Sequence, residues 1–403
     1  VKAEVDIQVA EGLKAGMAVV IEAANPKRPL AQLSGHREAV TSVAVSKDAA
    51  HPLIVSSSED RTLRVWARQG EQWTTRWEGW SNAVVRAIAC TGPQAKQNLA
   101  LLGAGDGSVH LLDLDLLSRG EDKAAARAMA SRHPKAVNCV AFSPDGSLCA
   151  TGDDDRAIYF WSTADGQLLA TLKNAHGAKV TSLQFASPTE LVSAGGDERL
   201  LVWDVKDPKN PKLTRHQFDH RGGAVTKLGV SPDGEHVLFD QGKQLLRMSL
   251  KTDQIDGFIS NLSNDSASFS DMALFSPNGL CVLTNRPGEG RLQLWRTPTG
   301  NHRAEELRQY IWVGGAATCG AFAPDSSFAV TGTKDSQVLV WEMPRTKPGS
   351  NELEEPPLRG TLTLVDQALN DTTRGVRVWA ELVAPEWLIP GSTATMVIPK
   401  QQQ

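Results

Sequence analysis

The stretch SAGGDERLLVWD, Ser193 to Asp204, decides the fold. It reads as a β-hairpin: a strand ending at Ser193, a turn at Gly195-Gly196-Asp197, and a second strand running to Trp203. His176 stands about twenty residues upstream of the acidic turn. The same grammar returns along the chain, which marks a repeat architecture. His36, Ser56, Asp60 and Trp66 make one set; His133, Thr151, Asp155 and Trp161 make another; His176, Ser193, Asp197 and Trp203 make a third. A last set keeps Thr331, Asp335 and Trp341 without a histidine. In each set the acid sits six residues before the tryptophan and four after the hydroxyl. On antiparallel strands this spacing predicts a hydrogen-bond chain from indole N–H to hydroxyl to imidazole to carboxylate, because buried polar groups must be paired.

Weaker copies fill the gaps. One has Asp106 in place but Leu112 where the tryptophan belongs, another has Met248 there, and a third ends on Trp295. Together they predict seven units of roughly 45 residues, the period of a four-stranded blade. Turns of the SPDG kind at Ser143, Ser231 and Ser276, with APDS at Ala323, join the first two strands of a unit. The strand from Leu30 to Leu33 precedes the first unit and the seventh ends near Trp341, so pairing the two closes a ring and brings the chain ends together. The helix-prone segment from Ser118 to Ser131 is expected to be a long loop with a short strand, because the repeat register asks for an outer strand there.

Outside the repeat, VKAEVDIQV at residues 1–9 alternates apolar and polar positions as a half-buried strand does. A second apolar run spans Met17 to Ala23. PRTKPGSNELEEPP, Pro344 to Pro357, reads as a Pro-rich acidic linker, followed by strand patterns at Gly360 to Val365, Arg374 to Val383 and Ala394 to Ile398.

The repeat residues resemble WD40 repeats, whose fold is a β-propeller, usually of seven blades; the resemblance covers residues 29–343. Trp203-Asp204 keeps the namesake dipeptide. The chain ends resemble the β-barrel of HlyD-type membrane-fusion proteins, the periplasmic adaptors of efflux and secretion systems. The matching residues are Leu13-Lys14-Ala15-Gly16 at one end, with GTLTLVDQALNDTTRGVRVWAEL (Gly360 to Leu382) and WLIPGSTATMVI (Trp387 to Ile398) at the other. These resemblances imply an all-β chain: a barrel built from residues 1–25 and 358–399, a propeller at 29–343 inserted into it, and a linker at 344–357.

Composition narrows the functional classes. Over 403 residues the net charge is -4, which gives no support for a nucleic-acid footprint, since a phosphate backbone calls for a clustered cationic face. No apolar run is long enough to span a membrane as a helix. The chain begins at Val1 rather than methionine, so it reads as a piece of a longer protein, with membrane association only through parts outside it. The five cysteines lack metal-ligand spacing. Cys139 and Cys149 flank one turn, and buried free thiols are expected there rather than a strained bridge. No nucleophile elbow, zincin or phosphate-loop motif occurs, and the histidines of the sets read as buried links rather than bases. The chain is therefore expected to be non-enzymatic, with no catalytic residues, cofactor or metal.

Two features are candidates for partner binding. Trp73 and Trp77 share a face on a regular strand and, with Trp80, serve either as core packing of an outer strand or as an exposed anchor. Residues just before the acids, Glu59, Gly105, Asp154, Gly196 and Lys334, line one rim of a propeller. The leading expectation is a periplasmic adaptor whose propeller docks an inner-membrane transporter or other envelope proteins, in a family that usually assembles as homo-oligomeric rings. The alternative is a cytoplasmic WD40 scaffold with decorating terminal strands, which predicts that the two chain ends do not pair with each other.

Overall fold

A strand that is apolar on both faces must be covered on both, and the middle strands here are of that kind: Leu53–Ser58, Leu99–Ala104 and Leu200–Asp204 are buried almost throughout. The computed structural model describes residues 2–7, 18–24, 26–70, 72–217, 225–241, 244–260, 272–285, 290–298, 304–312, 314–346, 353–354, 358–369, 376–382 and 393–397. It meets the demand by standing seven sheets, blades one to seven, face against face in a ring. Their first strands are Val40–Val45, Val85–Cys90, Val137–Phe142, Val180–Ser187, Leu228–Val230, Ala273–Phe275 and Ala317–Phe322. Each lies beside the next, and the seventh lies beside the first, around a central channel of about 430 Å³. Ala31–Ser34 supplies the outer strand of blade seven, with Leu33 opposite Val338 and Ala31 opposite Val340.

The core lies between blades. Val65 faces blade two with Val85 and Leu102, whereas its neighbour Trp66 faces blade seven with Phe328 and Val340. Fully burying one such aliphatic side chain contributes about 1.5–3 kcal/mol. Each blade edge is thus held from both sides.

The segment after blade two's third strand departs from expectation. Leu114–Arg119 is an α-helix, capped by the Asp113 carboxylate, which accepts from the amides of Asp115 and Leu116, and closed by Gly120 in the left-handed region. Asp122–Ala125 forms a further helical turn, and only Ala126–Ala128 pairs as the outer strand. Leu114 and Leu117 are buried against blades one and two, which is why the helix forms instead of a loop. All five cysteines are free. Cys139 stands opposite Gly152 and Cys149 opposite Phe142, so the two are not cross-strand partners. Burial pushes the Cys149 thiol up to about 12.

The chain divides into two compact units, one of Val1–Arg28, Leu307–Ile311 and Pro344–Gln403, the other of Pro29–Glu306 and Trp312–Met343. In the first, Lys2–Ile7 pairs with Val376–Leu382, and Ala18–Ala24 pairs with both Leu358–Leu369 and Thr393–Val397. Both chain ends therefore share one five-stranded antiparallel sheet. This corrects the picture of terminal strands that do not pair with each other. The Leu13-Lys14-Ala15-Gly16 and Trp387 to Gly391 motifs, and most of the 344–357 linker, lie outside the described residues.

The turns between second and third strands share one backbone feature. The residue after the acid sits in the left-handed region in five blades: Gly107 at φ 84° in blade two, and the non-glycine residues Arg61 at 64°, Arg156 at 68°, Glu198 at 65° and Ser336 at 67° in four others. A side chain there costs about 1–2 kcal/mol, while glycine costs about 0.5–1 kcal/mol through the entropy of the unfolded chain. Arg156→Gly is therefore expected to raise stability by about 0.5–1 kcal/mol, read as a higher denaturant midpoint at unchanged slope.

Candidate functional site

The repeated sets become buried networks, with differences that the sequence spacing did not distinguish. In blade four the Trp203 indole donates to Ser193 Oγ at 2.8 Å, the hydroxyl meets His176 Nε2 at 2.8 Å, and His176 Nδ1 meets Asp197 at 2.9 Å. An ionised carboxylate only accepts, so Nδ1 carries the proton and Nε2 receives the serine hydroxyl. The room for Asp197 comes from Gly195, where an added Cβ would stand 2.5 Å from both Asp197 Oδ1 and His176 Nδ1.

Blade three solves the same problem differently. Trp161 donates to Thr151 at 2.8 Å and Thr151 meets His133 Nε2 at 2.6 Å, but His133 Nδ1 reaches Asp153 at 2.8 Å, not Asp155. Asp155 is exposed in the turn. The physical reason is the strand's period of two: Asp153 follows Thr151 on the same face, at the position Gly195 holds in blade four. Its second oxygen accepts the Ala157 amide at 2.8 Å, and both His133 and Asp153 side chains are fully buried. The signal was present in the run Asp153-Asp154-Asp155.

In blade one Trp66 donates to Ser56 at 2.9 Å and Ser56 meets His36 Nε2 at 2.8 Å. The imidazole-to-carboxylate step is relayed: His36 Nδ1 meets Thr62 Oγ1 at 2.7 Å, and that hydroxyl donates to Asp60 at 2.6 Å, leaving His36 and Asp60 3.8 Å apart. Burial opposes the charge on Asp60, but the bonds from Thr62 and the Arg37 amide outweigh it and hold the carboxyl below its ordinary value. Burial also depresses His36, to about 4, against the opposing pull of Asp60. In blade seven Trp341 donates to Thr331 at 2.9 Å, and Asp335 accepts from Thr333. Trp312 stands where the histidine is missing, its ring 5.4 Å from Trp341, a separation like the 6.4 Å between His36 and Trp66. Blade six holds a pair that the spacing did not reveal, Trp295 donating to Thr284 at 2.9 Å, because its hairpin is one residue longer.

The rim is built by a repeated backbone clip. The amides of Glu59, Gly105, Asp154, Gly196 and Lys334 donate to the carbonyls of Ala39, Val84, Ala136, Lys179 and Ala316, each just before the first strand of its own blade. Glu59, Asp154 and Lys334 are thereby held exposed at the channel mouth. There Asn138 accepts from Arg86 at 3.1 Å and donates to Asp154 at 2.8 Å. Thr41 and Thr318 donate across to the first strand of the next blade, at the Val85 and Val40 carbonyls, and Thr181 donates to the Val225 carbonyl ahead of the first strand of blade five, each at 2.6 Å.

The expectation that Trp73 and Trp77 share a face is corrected by a β-bulge: Val65 stands opposite Trp77 but Trp66 opposite Thr75, so Arg76 is left over and the faces switch. Trp73 packs on Phe328 of blade seven at 5.7 Å, and Trp77 packs into the core shared with blade two. Trp80 remains, 68% exposed, beside the rim turn, where the Ser81 amide donates to the Arg61 carbonyl at 2.9 Å.

A WD domain, G-beta repeat (WD40) profile matches residues 27–67, 128–162, 166–204 and 311–342. The chain thus carries WD40 repeats on a seven-bladed β-propeller. It is 31% identical over 152 residues to the 66 kDa stress protein of Physarum polycephalum, covering 38% of this chain and 23% of that protein. It is 30% identical over 213 residues to periodic tryptophan protein 2 of Arabidopsis thaliana, 51% of this chain and 22% of that protein. Meiotic fizzy-related protein 1 of Schizosaccharomyces pombe is 22% identical over 268 residues, 66% of this chain and 58% of that protein. The chain spans less than two thirds of the length of each. One chain of a mitotic checkpoint complex crystal structure shares the fold, with TM-score 0.64 at 17% identity over 83% of this chain and 98% of that one.

These relatives overturn the leading expectation. They are proteins of eukaryotes, and none is named as a subunit of an efflux or secretion system, so the periplasmic adaptor function, the transporter partners and the periplasmic or envelope location are withdrawn.

Two measurements check the networks. Asp153→Ala is expected to cost about 3–5 kcal/mol, because it strands a buried imidazole, whereas Asp155→Ala stays within about 0.5 kcal/mol in chemical unfolding. For His36, the unfolded chain takes a proton near 6.5 while the folded protein refuses it down to about 4. Stability is therefore lost as pH falls through this window and is unaffected above it. Unfolding midpoints between pH 7 and 4 should fall less steeply in His36→Gln than in the parent.

Proposed function

We propose that the chain is a non-enzymatic WD40 scaffold of the cytoplasm that docks protein partners on the rim of its propeller. The observation that carries this reading is Trp80: a large apolar side chain, 68% exposed, at the end of blade one nearest the tetrad acids. An indole held on a rigid strand beside exposed charges, here Glu59 and Arg61, has the chemistry of an interface anchor. Asp154 and Lys334, fixed by the same backbone clip, supply charges of both signs around the mouth and select partners more than they bind them. WD40 propellers in general act as protein-docking scaffolds, and the curated relatives support that class.

The five-stranded terminal sheet belongs to this reading as a small barrel made of residues 1–25 and 358–399, with the propeller of residues 29–343 inserted and residues 344–357 as the linker. What supports closure is that the outermost strands of the sheet, Lys2–Ile7 and Thr393–Val397, lie next to one another.

The test is affinity capture on the tagged full chain, with wild-type and Trp80→Ala proteins compared by quantitative mass spectrometry and purified partners then titrated. A hot-spot indole is worth about 2 kcal/mol or more, so partner affinity should drop about thirtyfold while the thermal midpoint stays put. Partners retained at full affinity by Trp80→Ala, and equally by Asp154→Lys, would remove the rim as the docking face.

A further inference from the structure

Near the rim, six blades are fastened to the one that follows by a side chain. Thr41, Arg86, Asn138, Thr181, Asn285 and Thr318 each donate a hydrogen bond to the next blade or to the residue leading into it, at 2.6 to 3.3 Å. Blade five is the exception. Thr226 is the counterpart of Thr181, but its hydroxyl donates to Asp240 of its own blade at 2.6 Å. A hydroxyl has one proton, so none is left to fasten blade six.

The opposite end of the same seam is loose as well. The turns joining first and second strands follow one recipe there, SPDG at Ser143 and Ser231 and SPNG at Ser276. In blades three and five the glycine presses on the preceding blade: a Cβ at Gly146 would stand 2.5 Å from the Ala95 side chain, and one at Gly234 would overlap the Ala186 carbonyl. In blade six a Cβ at Gly279 would find its nearest neighbour, Pro232, 3.9 Å away. A cleft of about 600 Å³ is left between blades five and six, and side chains that face a gap lose their dispersion contacts on that side. The inner strands are also shortest here, three residues each in Leu228–Val230 and Ala273–Phe275, against six to eight in the other blades.

What closes the seam is an apolar core that includes Leu238, Leu245, Ala273 and Trp295, with two bonds toward the outer strands. One runs from the Ala304 amide to the Phe258 carbonyl at 2.9 Å, the other from Arg247 to the Pro298 carbonyl. Arg247 is itself poorly satisfied: it is 8% exposed, and its Nε has no hydrogen-bond partner among the described residues. The Asp256 oxygen facing it, 3.6 Å away, is in the same condition. Water admitted by a parting seam would pair both groups, so opening recovers part of what it loses.

We infer that the ring carries one joint, between blades five and six, where the inner strands part and open the central channel sideways while each blade keeps its own sheet. Elements that move are drawn from the least stable part of a fold, and here the missing clip, the cleft, the short strands and the unpaired Arg247 fall on one seam. The inference rests on the fold alone and stands or falls apart from the docking reading.

Native-state thiol exchange on the full chain tests it, with native cysteines as internal controls. Cys149 lies in the core between blades two and three, and Cys139 in that between three and four. Ala273→Cys places a thiol in the core between five and six, at a position 3% exposed against 8% for Cys139. Each thiol's labelling by a disulfide reagent is followed by peptide mass spectrometry and divided by its rate in the unfolded chain. The Ala273→Cys thiol should react about tenfold or more faster than Cys139 and Cys149 of the same molecule. Its rate should rise with denaturant, less steeply than global unfolding does. Leu238→Cys, on the blade-five side of the same core, should match it, because one opening exposes both. The Ala273→Cys result stands alone if Leu238→Cys does not fold. The joint is overturned if the Ala273→Cys thiol reacts no faster than the controls, if its rate ignores denaturant, or if a folded Leu238→Cys lags about tenfold behind.

Discussion

The structure depends on one pairing, the strand Ala31–Ser34 against Gln337–Glu342. Seven sheets arranged face to face need a closed ring, because an open one exposes the apolar side of its first and last blades. The closing strand comes from the beginning of the propeller sequence and its partners from the end. The same cluster that joins blades seven and one, with Leu33, Val338, Trp66 and Phe328, therefore connects residues some three hundred positions apart. A contact of such sequence separation has a high loop-closure cost and forms late in folding.

The buried networks make the blades individually rigid, and blades three and four show how little the wiring depends on one spacing. A carboxylate reaches the imidazole either from the turn, as Asp197 does over Gly195, or from the strand, as Asp153 does, and blade one interposes a threonine hydroxyl. What is constant is the polarity: the indole donates, the hydroxyl receives it and turns its own proton to the imidazole, and the imidazole donates onward. Each member is satisfied only if the next is present, which is why the residues occur as sets. The rim is ordered separately, by backbone clips that tie the residue before the turn acid to the start of its own blade whether or not that acid joins a network.

Much of the fold was legible because periodicity and turn chemistry act locally. Seven units and the closing strand follow from counting residues between His36 and Trp341. What was not legible depended on side-chain direction and on neighbours distant in sequence. A single bulged residue, Arg76, sends Trp73 and Trp77 to opposite faces, and no pattern in QWTTRWEGW marks it. Trp312 fills the histidine's place from a different residue type. Leu114 and Leu117 make a helix of a segment expected to be a long loop with a short strand, because the repeat register asked for an outer strand there, although Asp113 and Gly120 are ordinary cap residues and signalled it. The terminal strands were legible as strands, and their pairing is seen in one sheet. The function attached to them by resemblance did not survive, because a short strand pattern specifies a sheet and not its partners.

The central claim is that the propeller is a closed ring held by its first strand. Hydrogen exchange of the intact chain at neutral pH measures it most directly, since strands in the cooperative core exchange only through global opening. Peptides covering Leu30 to Ser34 should be protected to the same degree as those covering Gln337–Glu342, reflecting bonds such as that from the Leu30 amide to the Val340 carbonyl at 2.7 Å. Rapid exchange at Leu30 to Ser34, with Gln337–Glu342 still protected, would mean that the ring is open and would contradict the account.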